Sequence, residues 1–147
     1  MEKLPPVEKV FEAWTAIVDG RVSLFEHHAD VESSDGSKGY VVRFDNNCYS
    51  SDDNATFWRG YPGYPVLAVL MLQGRLPFDR DEALLWQGVN WKHINTRFKN
   101  DYAGAVKEIA RERNINLQDS YSAADVVMKA LNSLDIIIKR KIKIPDS

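Results

Sequence analysis

After a first helical stretch, the hydrophobic period of this chain is that of a strand until near residue 64, where it becomes that of a helix. Upstream, apolar side chains recur every second residue, most clearly where Tyr40, Val42 and Phe44 alternate with Val41, Arg43 and Asp45. That is the period of a strand. Downstream they recur every three or four residues, the period of a helix. Trp91, Ile94, Phe98, Tyr102, Val106 and Ile109 form one such stripe, and Ala124, Val127, Leu131, Leu134, Ile138 and Ile142 form another. Strand-forming sequence followed by helix-forming sequence, without regular alternation of the two, predicts an α+β fold.

Local signals sharpen this outline. Val7, Phe11, Trp14 and Val18 predict a first helix from about Pro6 to Asp19, ended by Gly20. Residues 21–59 read as strands: Arg21 to Ser33, then 40–45 after the turn residues Ser34-Asp35-Gly36-Ser37, then Cys48 to Ser50 after Asn46-Asn47. Thr56 to Trp58 reads as a further strand or the end of an interrupted one. Connections this short preclude parallel crossovers, so the expectation is an antiparallel meander of three or four strands. It packs against about five helices in the order α-β-β-β-α-α-α-α. Pro65 to Leu72 is apolar on every side and predicts a buried helix. Asp79 with Glu82 resembles a capping box opening a short helix to about Gln87. A long helix is expected over 91–113, and a last one entered through Ser122. The alternation of Lys139, Lys141 and Lys143 with Arg140, Ile142 and Ile144 leaves residues 138–144 as either helix or strand.

At 147 residues, with 44% hydrophobic and 27% charged side chains, the chain suits a single domain, 1–147, that needs no disulfide or metal to stay folded. Cys48 is the only cysteine. The longest apolar run, Val66 to Leu72, is far short of the ~20 residues that span a bilayer. The start Met1-Glu2-Lys3-Leu4-Pro5-Pro6 lacks the pattern of a secretory leader. The expected setting is cytoplasmic, with no membrane partner. Net charge is −2, split as −5 over residues 1–60 and +3 over 61–147. Neither figure approaches the footprint of a typical nucleic-acid-binding domain.

The least ordinary stretch is Phe57-Trp58-Arg59-Gly60-Tyr61-Pro62-Gly63-Tyr64-Pro65. Four aromatic rings and an arginine sit among glycines and prolines, which suits stacking on a planar ligand or a partner peptide. Trp58, Arg59, Tyr61 and Tyr64 are therefore the candidate contact residues, extended by Lys92. The competing reading is that these rings only close one end of the core. Lys92, Lys99 and Lys107, with Arg111 nearby, and the tail Lys139-Arg140-Lys141-Ile142-Lys143 form the basic array a phosphate backbone requires. Ordinary helix-surface ion pairs account for much of it, Arg97 with Asp101 and Glu108 beside Lys107 and Arg111. Glu26, His28, Asp30 and Glu32 would share one strand face, the third candidate constellation, and Asp52-Asp53 reads as a surface turn.

No nucleophile elbow, phosphate-binding loop or dinucleotide fingerprint is present. The leading expectation is a non-catalytic binding or interaction module using the aromatic loop 57–65, with an unidentified protein or small molecule as partner. Nucleic-acid binding through 91–113 and the basic tail ranks second, and a small hydrolase or metal-dependent enzyme third. No cofactor or metal is expected. Ile136-Ile137-Ile138, wider than one helical stripe requires, makes a homodimer a further expectation.

Overall fold

A computed structural model describes residues 3–143. The class is α+β. Helix α1 (Lys9–Val18) is followed by four strands, β1 (Val22–Leu24), β2 (His28–Glu32), β3 (Gly39–Asp45) and β4 (Cys48–Ser51). They pair consecutively and antiparallel, which is the predicted meander. The pleat sorts their side chains as the alternation implies. Ala29, Val31, Val42 and Phe44 face the core, while Asp30, Glu32, Arg43 and Asp45 face solvent. At the β3–β4 hairpin Asp45 pairs with Cys48, and Asn46 takes a positive φ of 53°, which asparagine tolerates well.

A short π-helical turn, Ala55–Arg59, stands where Thr56 to Trp58 was expected as strand. The cause is Asp53. Its carboxylate accepts from the backbone N–H of Thr56 at 3.1 Å and from the Thr56 hydroxyl at 2.9 Å, which curls the chain away from the sheet.

Helices α2 (Tyr64–Leu72), α3 (Arg80–Leu84), α4 (Trp91–Arg97), α5 (Tyr102–Arg113) and α6 (Leu117–Ser133) follow. The stripe 91–109 is thus two helices. Lys99 and Asn100 both adopt positive φ, 53° and 64°, and Asp101 starts α5 afresh by accepting from the Gly104 N–H at 3.1 Å. A Cβ at Gly104 would lie 2.5 Å from that carboxylate, so the cap and the glycine are matched. At α3, Asp79 accepts from the Glu82 N–H at 3.0 Å, but the Glu82 carboxylate takes the Ser120 hydroxyl instead of returning to the cap. Helix α6 opens at Asn116, six residues before Ser122, and stops at Ser133.

The chain then returns to the sheet as β5 (Ile137–Ile138), which pairs parallel with β4. Short connections exclude parallel pairing only between strands adjacent in sequence, and here the whole helical half of the chain forms the crossover. Ile136 is buried, Ile137 exposed and Ile138 half-buried, so these three isoleucines are extended chain and not a broad helical face. Ile144, the end of the alternating tail, and Met1-Glu2 lie outside the described residues.

The core is layered about α2. One side of this helix meets β1, β3 and β4, and the other meets α1, which in turn packs on α3 and α6. Val66, Leu67, Ala68, Val69 and Leu70 have no solvent exposure at all. Behind α1, Trp86 and Trp91 stack at 5.8 Å and close on the Thr15 hydroxyl, which accepts from Trp91 Nε1 at 2.9 Å. Among the described residues no helix is long and apolar enough to cross a membrane. Truncating Leu67 to alanine is expected to cost about 2–5 kcal/mol of stability, read as a fall in the urea midpoint with an unchanged slope.

Candidate functional site

The sheet, the π-turn, α1, α4 and the start of α5 separate around a cleft of about 320 Å³. That is the lower end of the size range for small-molecule sites. Its lining gathers residues from distant parts of the chain. Lys9 and Glu12 come from α1, Arg21 from just before β1, Lys38 and Tyr40 from the β2–β3 hairpin, and Arg59, Tyr61 and Tyr64 from the aromatic loop. Trp91, Lys92, Asn95 and Tyr102 complete it from α4 and α5.

Four of the five candidate contact residues, Arg59, Tyr61, Tyr64 and Lys92, line this one cleft, and Trp58 does not. The π-turn points the Trp58 ring outward, 67% exposed and edge-on to Phe57 at 4.7 Å. Arg140 of the basic tail stacks over both rings, at 5.3 Å from Trp58 and 5.5 Å from Phe57. The aromatic loop and the basic tail, read separately along the chain, are therefore neighbours. The lysine stripe is dispersed, with Lys92 on α4, Lys99 in the break and Lys107 on α5. Glu108 pairs with Arg111, while Asp101 is used as the cap of α5.

The acidic and histidine candidates also change. Glu26 lies in the β1–β2 turn, outside the strand, and pairs with His27 at 3.7 Å. His28 and Asp30 share the outer face of β2, 3.9 Å apart. Among the described residues no group of three or more His, Cys, Asp or Glu is placed to hold a metal ion. Asp52 accepts from the Val41 N–H at 2.9 Å. Asp53 is buried, against the expectation of a surface turn, because its carboxylate ties the π-turn to the start of α2. Thr56, held by Asp53, accepts in turn from the Gly63 N–H at 2.9 Å. Cys48 is half-buried at the start of β4.

The residues that sequence reading passed over are Lys9 and Glu12. They sit one turn apart on α1 with an Nζ–Oε2 distance of 3.1 Å, and both are almost fully buried, at 9% and 6% exposure. Lys9 Nζ lies 4.2 Å from the centre of the Tyr102 ring. The Asn95 side chain also bonds the Glu12 carboxylate. Burial raises the Glu12 pKa above its ordinary value, and the pull of Lys9, Asn95 and Arg21 only partly offsets this. Burial opposes charge on Lys9 as well, but attraction to Glu12, with Tyr102 and Tyr61 adding, holds its pKa above the ordinary value. Burial likewise raises the phenols of Tyr40, Tyr61 and Tyr64, so these hydroxyls stay protonated and able to donate.

Cations dominate the rest. Lys92 pairs with Asp35 at 3.7 Å and donates to Ser37. The Ser37 hydroxyl and N–H, with Ser33 and Lys92, hold the Asp35 carboxyl well below the usual range. Arg21 Nε is buried without a hydrogen-bond partner, with Asp19 at 3.7 Å as its nearest counter-charge. The Lys38 ammonium and the Arg59 guanidinium make no ion pair among the described residues. Five cationic side chains face two carboxylates, so the lining carries three net positive charges even with Glu12 and Asp53 ionised.

Two measurements follow from this geometry. A Cβ at Gly63 would fall 2.1 Å from Asp53 Oδ2, so Gly63→Ala is expected to lower the unfolding temperature, at a cost of about 1–3 kcal/mol. The unfolded chain loses the Glu12 proton near 4.5 and the folded chain keeps it to higher pH, so stability falls as pH rises through the folded value. Urea midpoints of wild type and Glu12→Gln, compared from about pH 4 to about pH 8, should therefore diverge in the variant's favour as pH rises. Lys9 stays charged across that window, so loss of its partner offsets the comparison without tilting it.

No curated protein and no solved structure matches this chain. Residues 2–137 match the family described as uncharacterised conserved protein UCP014422, so the chain belongs to that family, whose description names no activity.

Proposed function

We propose that this protein is a binding module for a small anion carrying a planar or apolar body, held in the cleft between α1, the aromatic loop and α4. The observation that carries the reading is the excess of three positive charges around a lining of four tyrosines and Trp91. A negative ligand group gains most where cations lack a partner. Here these are Arg59 and Lys38, which make no ion pair among the described residues, while the buried Arg21 Nε has no hydrogen bond and only Asp19 at 3.7 Å. The phenols supply neutral donors, and their ring faces suit a flat ligand. Helix α2 adds to the field, because Gly63 and Tyr64 at its N-terminus line the cleft and carry the positive end of its dipole. A cytoplasmic, reducing setting suits the single thiol of Cys48, which has no second cysteine to pair with.

Benzenesulfonate is a suitable probe, since it is flat and permanently anionic. It is expected to shift the backbone amide resonances of Gly63, Tyr64 and Lys92 saturably. Removing a charged hydrogen-bond partner with Arg59→Ala should weaken binding about tenfold or more, whereas Trp58→Ala should leave it unchanged. Saturable shifts confined to Trp58 and Arg140 would place the ligand on the other surface and overturn the assignment.

A further inference from the structure

The floor of the cleft holds a carboxylate where an anion is to be accommodated, and that conflict has a chemical resolution. Glu12 is 6% exposed and lines the same cleft as the cations. An ionised Glu12 and a ligand anion would be like charges in a space largely removed from water, where their repulsion is weakly screened. Lys9, the Asn95 side chain and Arg21 compensate an ionised Glu12 only in part. Its ion-pair partner is Lys9 at 3.1 Å, and the Lys9 ammonium is shared with the Tyr102 ring at 4.2 Å. Resting on the anion-binding reading above, we propose that the anion enters this cleft together with one proton, and that Glu12 is the group that receives it.

The neighbours of Glu12 leave it as the acceptor. Lys9, on the same helix, already carries its proton, and the Arg21 guanidinium, beyond the helix's end, is a donor with no acceptor site. Tyr40 from β3 and Tyr61 and Tyr64 from the loop and α2 keep theirs, because burial disfavours the phenolate. Asn95 of α4 does not titrate. Asp53, the other carboxylate in the lining, is committed to the N–H and hydroxyl of Thr56. No histidine lines the cleft. The step is a protonation and nothing else: the Glu12 carboxylate takes a proton from buffer and becomes a neutral acid, which can donate a hydrogen bond to the ligand.

A ligand that raises the affinity of Glu12 for a proton binds best at low pH. Its affinity then falls as pH rises between the ionisation of Glu12 in the free protein and in the complex. The test is calorimetric titration of benzenesulfonate into the full chain in imidazole, bis-Tris and Tris, cationic buffers of different ionisation heat that do not compete for an anion site. Wild type is expected to show a binding heat that varies with the buffer in the sense of proton uptake. Its affinity should weaken with rising pH, approaching a tenfold change per pH unit where uptake is complete. Glu12→Gln should still bind, with the same heat in all three buffers. In wild type, the Glu12 side-chain carboxyl carbon resonance should titrate at higher pH with ligand than without it, a readout that needs no variant. Binding by wild type with no buffer dependence, or uptake that persists in Glu12→Gln, would overturn the proposal while leaving the anion site standing. Absence of any binding would remove both.

Discussion

Helix α2 has no polar face to turn toward water, and the chain is arranged so that it never has to. Burying five consecutive residues with no exposure requires apolar surface on all sides, which neither the sheet nor α1 provides alone. The sheet covers one side and α1 the other. Helix α1, now apolar toward α2, must be covered in turn by α3 and α6. Both ends of α2 are held by side-chain hydrogen bonds. At the N-terminus the Asp53–Thr56–Gly63 relay docks the π-turn against it. At the C-terminus the Tyr49 hydroxyl donates to Gln73 at 2.6 Å and accepts from Arg75 at 2.9 Å.

The cleft is a consequence of that layering. Around the N-terminal end of α2 the sheet and the helices diverge, and the space between them is lined by whatever α1, the loop and α4 present there. What α1 presents is an ion pair. Replacing a buried pair by apolar residues is often neutral or stabilising, so core formation alone does not call for Lys9 and Glu12 at this place. A carboxylate raised by burial, beside cations and in a cleft, is the arrangement in which functional sites are commonly found.

Much of the fold was legible because its signals are local. The alternation at 40–45, the turn residues 34–37 and 46–47, and the apolar run at 65–72 each reflect backbone geometry within a few residues. The break at 98–101 was legible in principle. Asp101 three residues before Gly104 is an N-cap signal, but the hydrophobic stripe runs through it unchanged because α4 and α5 both bury that side. The π-turn was masked by the strand propensity of Thr56-Phe57-Trp58, which the bonds from Asp53 override. Residues such as Arg59, Tyr61, Tyr64 and Lys92 stood out by type, but their convergence with Arg21 and Glu12 was not visible. Glu12 beside Phe11 and Ala13 reads as an ordinary helix-surface acid until the layers on both sides of α1 are known.

The sequence by itself determined where strands give way to helices, that the helix over 65–72 is buried, and the turns at Gly20, 34–37 and 46–47. These depend on periodicity, capping and φ preferences that act over one or two turns of chain. Only the tertiary structure decided that β5 returns beside β4, that Arg140 rests on Trp58, and that Lys9 and Glu12 are shut away from water beneath a ring of cations. The reason is physical. Burial and electrostatic environment are set by residues tens of positions apart in the chain, and no local pattern records which of them will meet.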